Sequence, residues 1–184
     1  MAQSWRLERK SHKKPRPPLD GEALERLALF YVGRYATTKA KLAAYLRRKV
    51  QERGWSDESK PPIEPLVQRF VELGYIDDGA FAAARAASLQ RRGYGERRIV
   101  QALRAAGIGD GDAAQAREAS REGAFEAALR FAERKRIGPF AAEEPDRRSK
   151  ERAFAAMVRA GHPMDLARRI LAARLGEVPE HEHD

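Results

Sequence analysis

The stretch RRGYGERRI, residues 91–99, groups four arginines around a tyrosine that stands between two glycines. Guanidinium groups bind phosphates and carboxylates through parallel hydrogen bonds, so these residues offer recognition of an anion. The glycines indicate a tight corner between two helices, because Gly93 suits a left-handed helix end and Gly95 suits the start of the next helix. The stretch is therefore a nucleic-acid contact, a partner-binding corner, or a turn in which Tyr94 folds onto its own core.

The other reactive side chains show no catalytic pattern. The chain has no cysteine, which excludes disulfides, zinc thiolates and a thiol nucleophile. Asp77 and Asp78 are compatible with metal binding or acid–base chemistry, but at a predicted helix start they are better explained as caps for unpaired backbone donors. There is no P-loop or HExxH motif, and a stray divalent ion at His181 and His183 is a further metal alternative. We expect no enzyme activity, no catalytic residue, no metal site and no cofactor.

Positive charge is carried by the body of the chain and by its N-terminal segment. The chain has 36 Lys and Arg against 27 Asp and Glu, a net charge of +9. Residues 1–20 hold six basic and two acidic side chains, whereas residues 177–184 hold four acidic ones and no Lys or Arg. The body favours polyanionic neighbours, namely DNA, RNA or an acidic protein surface, although an arginine-rich composition alone gives the same charge. No apolar run approaches the roughly 20 residues of a membrane span, so we expect a cytoplasmic protein without membrane contact.

Alanine, leucine, arginine and glutamate dominate residues 22–175, and no segment shows the alternation typical of strands, which favours helix throughout. Glycine and proline divide this sequence into nine predicted helices. The second helix can be capped by Thr37 or Thr38. The sixth is predicted to pack weakly, because Ala113, Ala114 and Ala116 supply little apolar area.

The nine predicted helices fall into threes. In each set the middle helix ends in a glycine followed by a bulky residue, and these glycines, Gly54, Gly107 and Gly161, are 53 and 54 residues apart. A near-constant period of this kind indicates a repeat. The sequence therefore predicts an all-α fold of tandem three-helix repeats in an elongated, curved array. The predicted segments are a basic, disordered leader (1–20), three units (21–76, 77–120 and 121–176) and an acidic tail (177–184).

Basic residues recur at helical spacing on the middle helix of each unit. The face opposite the buried stripe of the fifth helix carries Arg97, Gln101 and Arg104. The second and eighth helices carry Lys41 and Arg48, and Arg148, Arg152 and Arg159, respectively. These residues form either a basic track along the array or ordinary solvated helix faces. With Arg91, Arg92, Tyr94 and Arg98 they are the candidate contacts with a partner or with DNA.

Three ordered segments carry a resemblance to a known family: GYIDDGAFA (74–82), RRGYGERRI (91–99) and ALRAAGI (102–108). The matching positions are Gly74, Tyr75, Asp77, Asp78, Phe81 and Ala82, then Arg91, Gly93, Gly95, Arg98 and Ile99, then Leu103, Gly107 and Ile108. Through these positions the chain resembles the RecX family, regulators of the bacterial recombinase RecA. It departs from the family pattern in the proline-rich loop after Trp55 and in the alanines of the sixth helix.

The resemblance implies a curved, all-helical protein of three three-helix units without enzyme activity. It also implies binding in the helical groove of the RecA–single-stranded-DNA filament, with restraint of strand exchange and ATP turnover. The alternative is an independent helical DNA-binding protein that uses its basic helix faces on single- or double-stranded DNA. We expect a monomer in either case.

The repeat period predicts a shape longer than a compact globule of the same mass. A compact chain of this length has a radius of gyration of about 16 Å, and we expect small-angle X-ray scattering to give a clearly larger value. A value near that of the compact globule would contradict the extended array.

Overall fold

The computed structural model describes residues 17–180, and this part of the chain is helical. Its α-helices are α1 (Gly21–Arg34), α2 (Lys39–Arg53), α3 (Ile63–Glu72), α4 (Asp78–Arg91), α5 (Glu96–Ala105), α6 (Asp110–Glu122), α7 (Ala124–Lys135), α8 (Arg147–Arg159) and α9 (Met164–Ala172). A 3-10 turn, Gly138–Phe140, follows α7. The predicted all-α fold of nine helices is confirmed, with no strand within the described range. None of these helices has the length and apolar character that crossing a membrane requires.

Four of the helices have a short polar side chain at the N-cap position. Asp20, Thr38, Asp77 and Asp146 each accept a hydrogen bond from a backbone N–H in the first turn of α1, α2, α4 and α8, respectively. Such caps satisfy donors that the helix itself leaves unpaired. Of the two threonines that the sequence offers for α2, Thr38 is the cap.

Buried side chains form three successive core clusters. The first lies within residues 19–76 and is built from α1, α2 and α3 with larger aliphatic and aromatic side chains. The second lies within residues 82–116 and is rich in alanine, and the third lies within residues 128–170. The three clusters follow the predicted order of units, whose boundaries stay a prediction.

The first core reaches further toward the N-terminus than the sequence predicts. Leu19, assigned above to the leader, is fully buried in the first cluster. Its N–H donates to the carbonyl of Gly54 (3.0 Å), and the N–H of Ser56 donates to the carbonyl of Leu19 (2.9 Å). The segment beginning at Pro17 therefore covers the C-terminal end of α2. The rest of the predicted leader, residues 1–16, lies outside the described residues.

The sixth helix does not pack weakly, so that prediction is wrong. α6 makes the most extensive helix contact of the molecule, with α4. Ala113 and Ala116 of α6 share the second core with Ala82 and Ala86 of α4. Small side chains allow two helix backbones to approach closely, so close contact compensates for the small apolar area of each alanine.

The first and second units are joined through the N-terminal end of α2. The Thr38 hydroxyl donates to the carbonyl of Ala106, just past the end of α5 (2.7 Å). Asp78 accepts a hydrogen bond from the backbone N–H of Lys39 (3.0 Å) and is 5% exposed. The prediction that Asp78 caps its own helix is therefore corrected: Asp77 caps α4, and Asp78 caps α2 of the preceding unit.

The second and third units meet in the same manner, at the N-terminal end of α5. The N–H of Gly95 donates to the carbonyl of Ala160 (3.0 Å), and the N–H of Arg97 donates to the carbonyl of Gly161 (3.3 Å). Donors that α5 leaves unpaired are thus satisfied by carbonyls at the end of α8. The three middle helices follow one another head to tail in the order α8, α5, α2, an arrangement that aligns their dipoles favourably.

Substitutions at two glycines with the same local geometry distinguish the cost of backbone strain from the cost of disturbed packing between units. Gly74 and Gly93 both end a helix with φ near 75°. A Cβ atom at Gly74 would meet nothing within 4 Å, whereas one at Gly93 would lie 2.8 Å from the backbone nitrogen of Phe131 in α7. We expect Gly74→Ala to lower the free energy of unfolding by about 1 kcal/mol through left-handed strain. Gly93→Ala should cost a further ~1–3 kcal/mol, because α7 must move.

Denaturant unfolding of the two variants beside the parent measures both costs. Equal midpoints for Gly74→Ala and Gly93→Ala would mean that α7 does not press on the corner. A Gly93→Ala midpoint equal to that of the parent would contradict the left-handed helix end itself.

Candidate partner-binding surface around Tyr94

The corner between α4 and α5 has the backbone pattern of a Schellman helix end. The N–H of Tyr94 donates to the carbonyl of Leu89 (3.1 Å), and the N–H of Gly93 donates to that of Gln90 (2.9 Å). Gly93 has a φ of 75°, the left-handed value predicted from the sequence. Gly95 then precedes the first residue of α5, as predicted. The glycines of RRGYG are thus explained by local geometry.

The third unit holds this corner from the other side. His162, fully buried after α8, donates from Nε2 to the carbonyl of Gly93 (3.1 Å). Arg134 of α7 donates to the carbonyl of Arg92. Tyr94 packs against both the second and the third core clusters. The interpretation that Tyr94 folds onto its own core is therefore incomplete, because the ring also packs against the following unit.

Cationic side chains surround the Tyr94 ring. The guanidinium carbons of Arg92 and Arg134 lie 5.5 and 5.7 Å from its centroid, within the range of cation–π contacts. Two hollows of about 340 and 510 Å³ open on either side and share Tyr94 and Arg98. We call these two hollows together the Tyr94 groove. Its basic lining residues are Arg85, Arg92, Arg98, Lys135 and Arg159.

The Tyr94 groove contains both predicted and unpredicted residues. Arg92, Tyr94, Arg98 and Arg159 were candidates from the sequence, and the fold brings them together across two units. Sequence reasoning missed two lining cations, Arg85 and Lys135, and also Arg134, which lies over the Tyr94 ring. Arg85 lies seven residues before Arg92 on α4, so helical spacing could have identified it. Arg134 and Lys135 carry no such signal, because α7 reaches the groove only through the packing of the third unit.

The remaining candidates lie elsewhere on the surface. Arg97 and Arg104 are exposed along α5, as their spacing predicts, whereas Gln101, also exposed, lines the first hollow of the Tyr94 groove. Glu96, the carboxylate at the start of α5, pairs instead with Arg117 (3.8 Å) and Arg121 (3.0 Å) of α6. Arg97 and Arg104 therefore have no ion pair in the part of the chain that the structure describes.

Candidates on the other helices are also exposed, but several have neighbours within the chain. Lys41 lies 4.7 Å above the Phe81 ring. Arg48 lies 3.6 Å from Glu52. Arg152 donates to the hydroxyl of Ser149 (3.0 Å). Arg91, the last residue of α4, and Arg148, the second residue of α8, are exposed.

The basic stripes of α5 and α8 do not occupy equivalent positions. Counting back nine residues from Gly54, Gly107 and Gly161 gives Tyr45, Arg98 and Arg152. Arg152 therefore corresponds to Arg98, which lines the Tyr94 groove, and not to Arg97. A basic track running unbroken through the three units stays a prediction.

A third hollow, of about 550 Å³, lies beside the Tyr94 groove and is mostly apolar. It is lined by the segment of the GYIDDGAFA motif that joins α3 to α4, and by the loop before α2. Tyr75 is 52% exposed at this hollow, and Phe81 contributes part of its lining. Arg85 lines both this hollow and the Tyr94 groove, so the two are contiguous. No cluster of three or more potential metal ligands occurs within residues 17–180, and His12, His181 and His183 lie outside that range.

The fold defined by these contacts is that of an all-α protein built from tandem three-helix repeats. A model of the second three-helix domain of RecX matches residues 77–116. The regulatory protein RecX of Myxococcus xanthus is 33% identical over 174 residues, which cover 89% of this chain and 93% of that protein. The regulatory protein RecX of Agrobacterium fabrum is 26% identical over 157 residues, covering 83% and 84%. The chain belongs to the RecX family.

Two solved structures share the fold. A crystal structure of RecX from Lactobacillus salivarius superposes with a TM-score of 0.59 at 18% identity, over 81% of this chain and 92% of that one. A crystal structure of a regulatory protein RecX superposes with a TM-score of 0.60 at 23% identity, over 82% and 72%. The shared architecture therefore persists at low sequence identity.

The buried histidine predicts a pH dependence of stability. Burial lowers the pKa of His162 below its usual value, and the hydrogen bond to Gly93 offsets this only in part. The unfolded chain therefore takes up a proton at this residue more readily, so His162 should stabilise the fold less as the pH falls below about 6.5. We expect the free energy of unfolding to fall more steeply between about pH 7.5 and 5.5 in the parent than in His162→Gln. Parallel pH profiles of the two proteins, measured by urea unfolding, would contradict this.

Proposed function

We propose that this protein binds the RecA–single-stranded-DNA filament and lowers its ATPase and strand-exchange activity, and so modulates recombination and DNA repair. The observation that carries the proposal is membership of the RecX family over almost the whole chain, with 89% of it aligned to a relative named as a regulatory protein. The partner and the inhibitory direction come from the resemblance to that family. The protein acts in the cytoplasm as a monomer and without a cofactor.

The chemistry of the surface is compatible with that partner. Arg97 and Arg104 are exposed on α5 and have no ion pair in the described residues, so they are free to meet an acidic surface. The helix that carries them is fixed at both ends, by α8 and by α2. The backbone positions of both arginines are therefore fixed before a partner docks, which lowers the backbone entropy cost of binding.

Charge reversal on α5 tests this proposal. Arg97→Glu/Arg104→Glu leaves Ile99 and Leu103, the buried stripe of α5, unchanged, so folding should survive. We expect inhibition of the RecA ATPase to weaken by about tenfold or more, because repulsion replaces attraction at each docked copy. The effect should be larger at low salt, where exposed charges are least screened. Inhibition titrations on preassembled filaments, at two salt concentrations, measure it.

A control of equal net charge change reverses two exposed arginines of the first unit, Arg26 and Arg69, which pair with Glu22 (3.1 Å) and Glu25 (3.3 Å), so its stability is checked by thermal unfolding. Loss of inhibition in this control would show that total charge matters and not the face of α5. The Arg148→Glu/Arg152→Glu variant tests whether α8 also contributes to inhibition of the RecA ATPase. If the parent leaves the RecA ATPase unchanged at micromolar concentration while binding naked duplex DNA tightly, the independent DNA-binding function replaces the proposed one.

A further inference from the structure

The Tyr94 groove concentrates positive charge without compensation. Five basic side chains line its two hollows, and no carboxylate from the described part of the chain does so. Many charges outside the groove are paired, for example Glu96 with α6 and Glu64 with Arg47. Like charges that converge repel one another, so this arrangement gains free energy when an anion enters.

The packing between the second and third units holds these cations in place. Arg92 and Arg134 lie over the Tyr94 ring, and Arg134 also donates to the carbonyl of Arg92. Arg98 donates to the side chain of Gln101 (2.8 Å). Lys135 and Arg159 come from the third unit. The second hollow therefore depends on the contacts of His162 and Gly95 that keep the two units together, and Arg92 and Arg98 are oriented before a ligand arrives.

The shape of the groove fits a chain of anions better than a single small ion. The two hollows are open and continuous through Tyr94 and Arg98, so they form a path from α4 to α8. At the α4 end, Arg85 leads into the apolar hollow where Tyr75 is 52% exposed. Cations along a groove beside an exposed aromatic ring are the combination that binds single-stranded nucleic acid, with phosphates on the cations and a base stacked on the ring.

We infer that the Tyr94 groove binds single-stranded nucleic acid directly, with its phosphates along Arg85, Arg98 and Arg159 and a base against Tyr75. An acidic protein surface would match the charge, but it would leave the adjoining aromatic ring without a stacking partner. This binding is separate from the proposed inhibition of RecA, because it needs no recombinase.

The test uses the full chain and a short fluorescein-labelled oligothymidylate, with binding followed by fluorescence anisotropy across a series of NaCl concentrations. Arg98→Gln/Arg159→Gln removes one cation from each unit. We expect the dissociation constant to rise at least ~10-fold, and the slope of log affinity against log salt to become shallower by about 1.4, the value for two lost phosphate contacts. Arg26→Gln/Arg69→Gln removes the same charge from α1 and α3 and should leave the slope near that of the parent.

Tyr75→Ala separates stacking from charge. It should weaken binding by about fivefold or more while leaving the salt slope unchanged. Thermal unfolding of each variant checks that the fold is intact. An oligothymidylate affinity of Arg98→Gln/Arg159→Gln equal to that of the Arg26→Gln/Arg69→Gln control would overturn the groove assignment.

Two further probes decide the class of ligand. Polyglutamate of equal charge should compete poorly with the oligothymidylate. Equal competition would identify the groove as a binding site for acidic protein surfaces. A duplex of the same length should bind more weakly than the single strand, and tighter duplex binding would overturn the single-strand assignment. RecA ATPase inhibition, measured separately on the same variants, reports on the proposed function. A variant that loses oligothymidylate binding but keeps RecA inhibition, or the reverse, shows that the groove and the proposed function are separate.

Discussion

The end-to-end contact of the middle helices is possible only where no side chain stands between the two backbones. Gly95 and Gly161 meet so closely that a Cβ atom on either would collide with the backbone of the other unit. Gly107 faces the methyl group of Ala40 with equally little space. The direct hydrogen bonds between α8 and α5 require this approach. The repeat glycines therefore determine how one unit docks on the next, in addition to ending their own helices.

The arginines of the corner depend on that same docking. A corner of the second unit alone would carry Arg92 and Arg98 on a solvated turn. The third unit adds Lys135 and Arg159 beside them and covers the back of Tyr94 with the third core. The corner between α4 and α5 thereby forms one side of a charged groove, and the third unit forms the other. Function in such a protein can therefore respond to substitutions that only loosen the contact between two units.

Local features of this chain could be predicted from its sequence, and contacts between units could not. Nine helices were predictable because glycines, prolines and capping side chains act within a few residues of where they stand. The partners of Asp78 and His162 were not, since each pairs with backbone 39 or 69 positions away. The packing of α6 could not be predicted from its apolar area, because the close approach of its alanines depends on the alanines of α4. Part of the groove could be predicted, because helical spacing identified its arginines on α5 and α8. The same spacing gave no signal for its lysine on α7.

Leu19 covers the outer end of α2, the last middle helix of the row. A contact that joins the end of one unit to the start of the next has no internal limit, and between separate chains it would lead to open-ended fibres. Here the carbonyl of Gly54, at the end where a further middle helix would dock, accepts from the chain's own Leu19. At the other end, the side chain of Asp146 accepts from the backbone N–H of Ser149 in the first turn of α8. Backbone groups at the two outer ends of the row of middle helices thus find partners within the chain, as those between the units do across each contact.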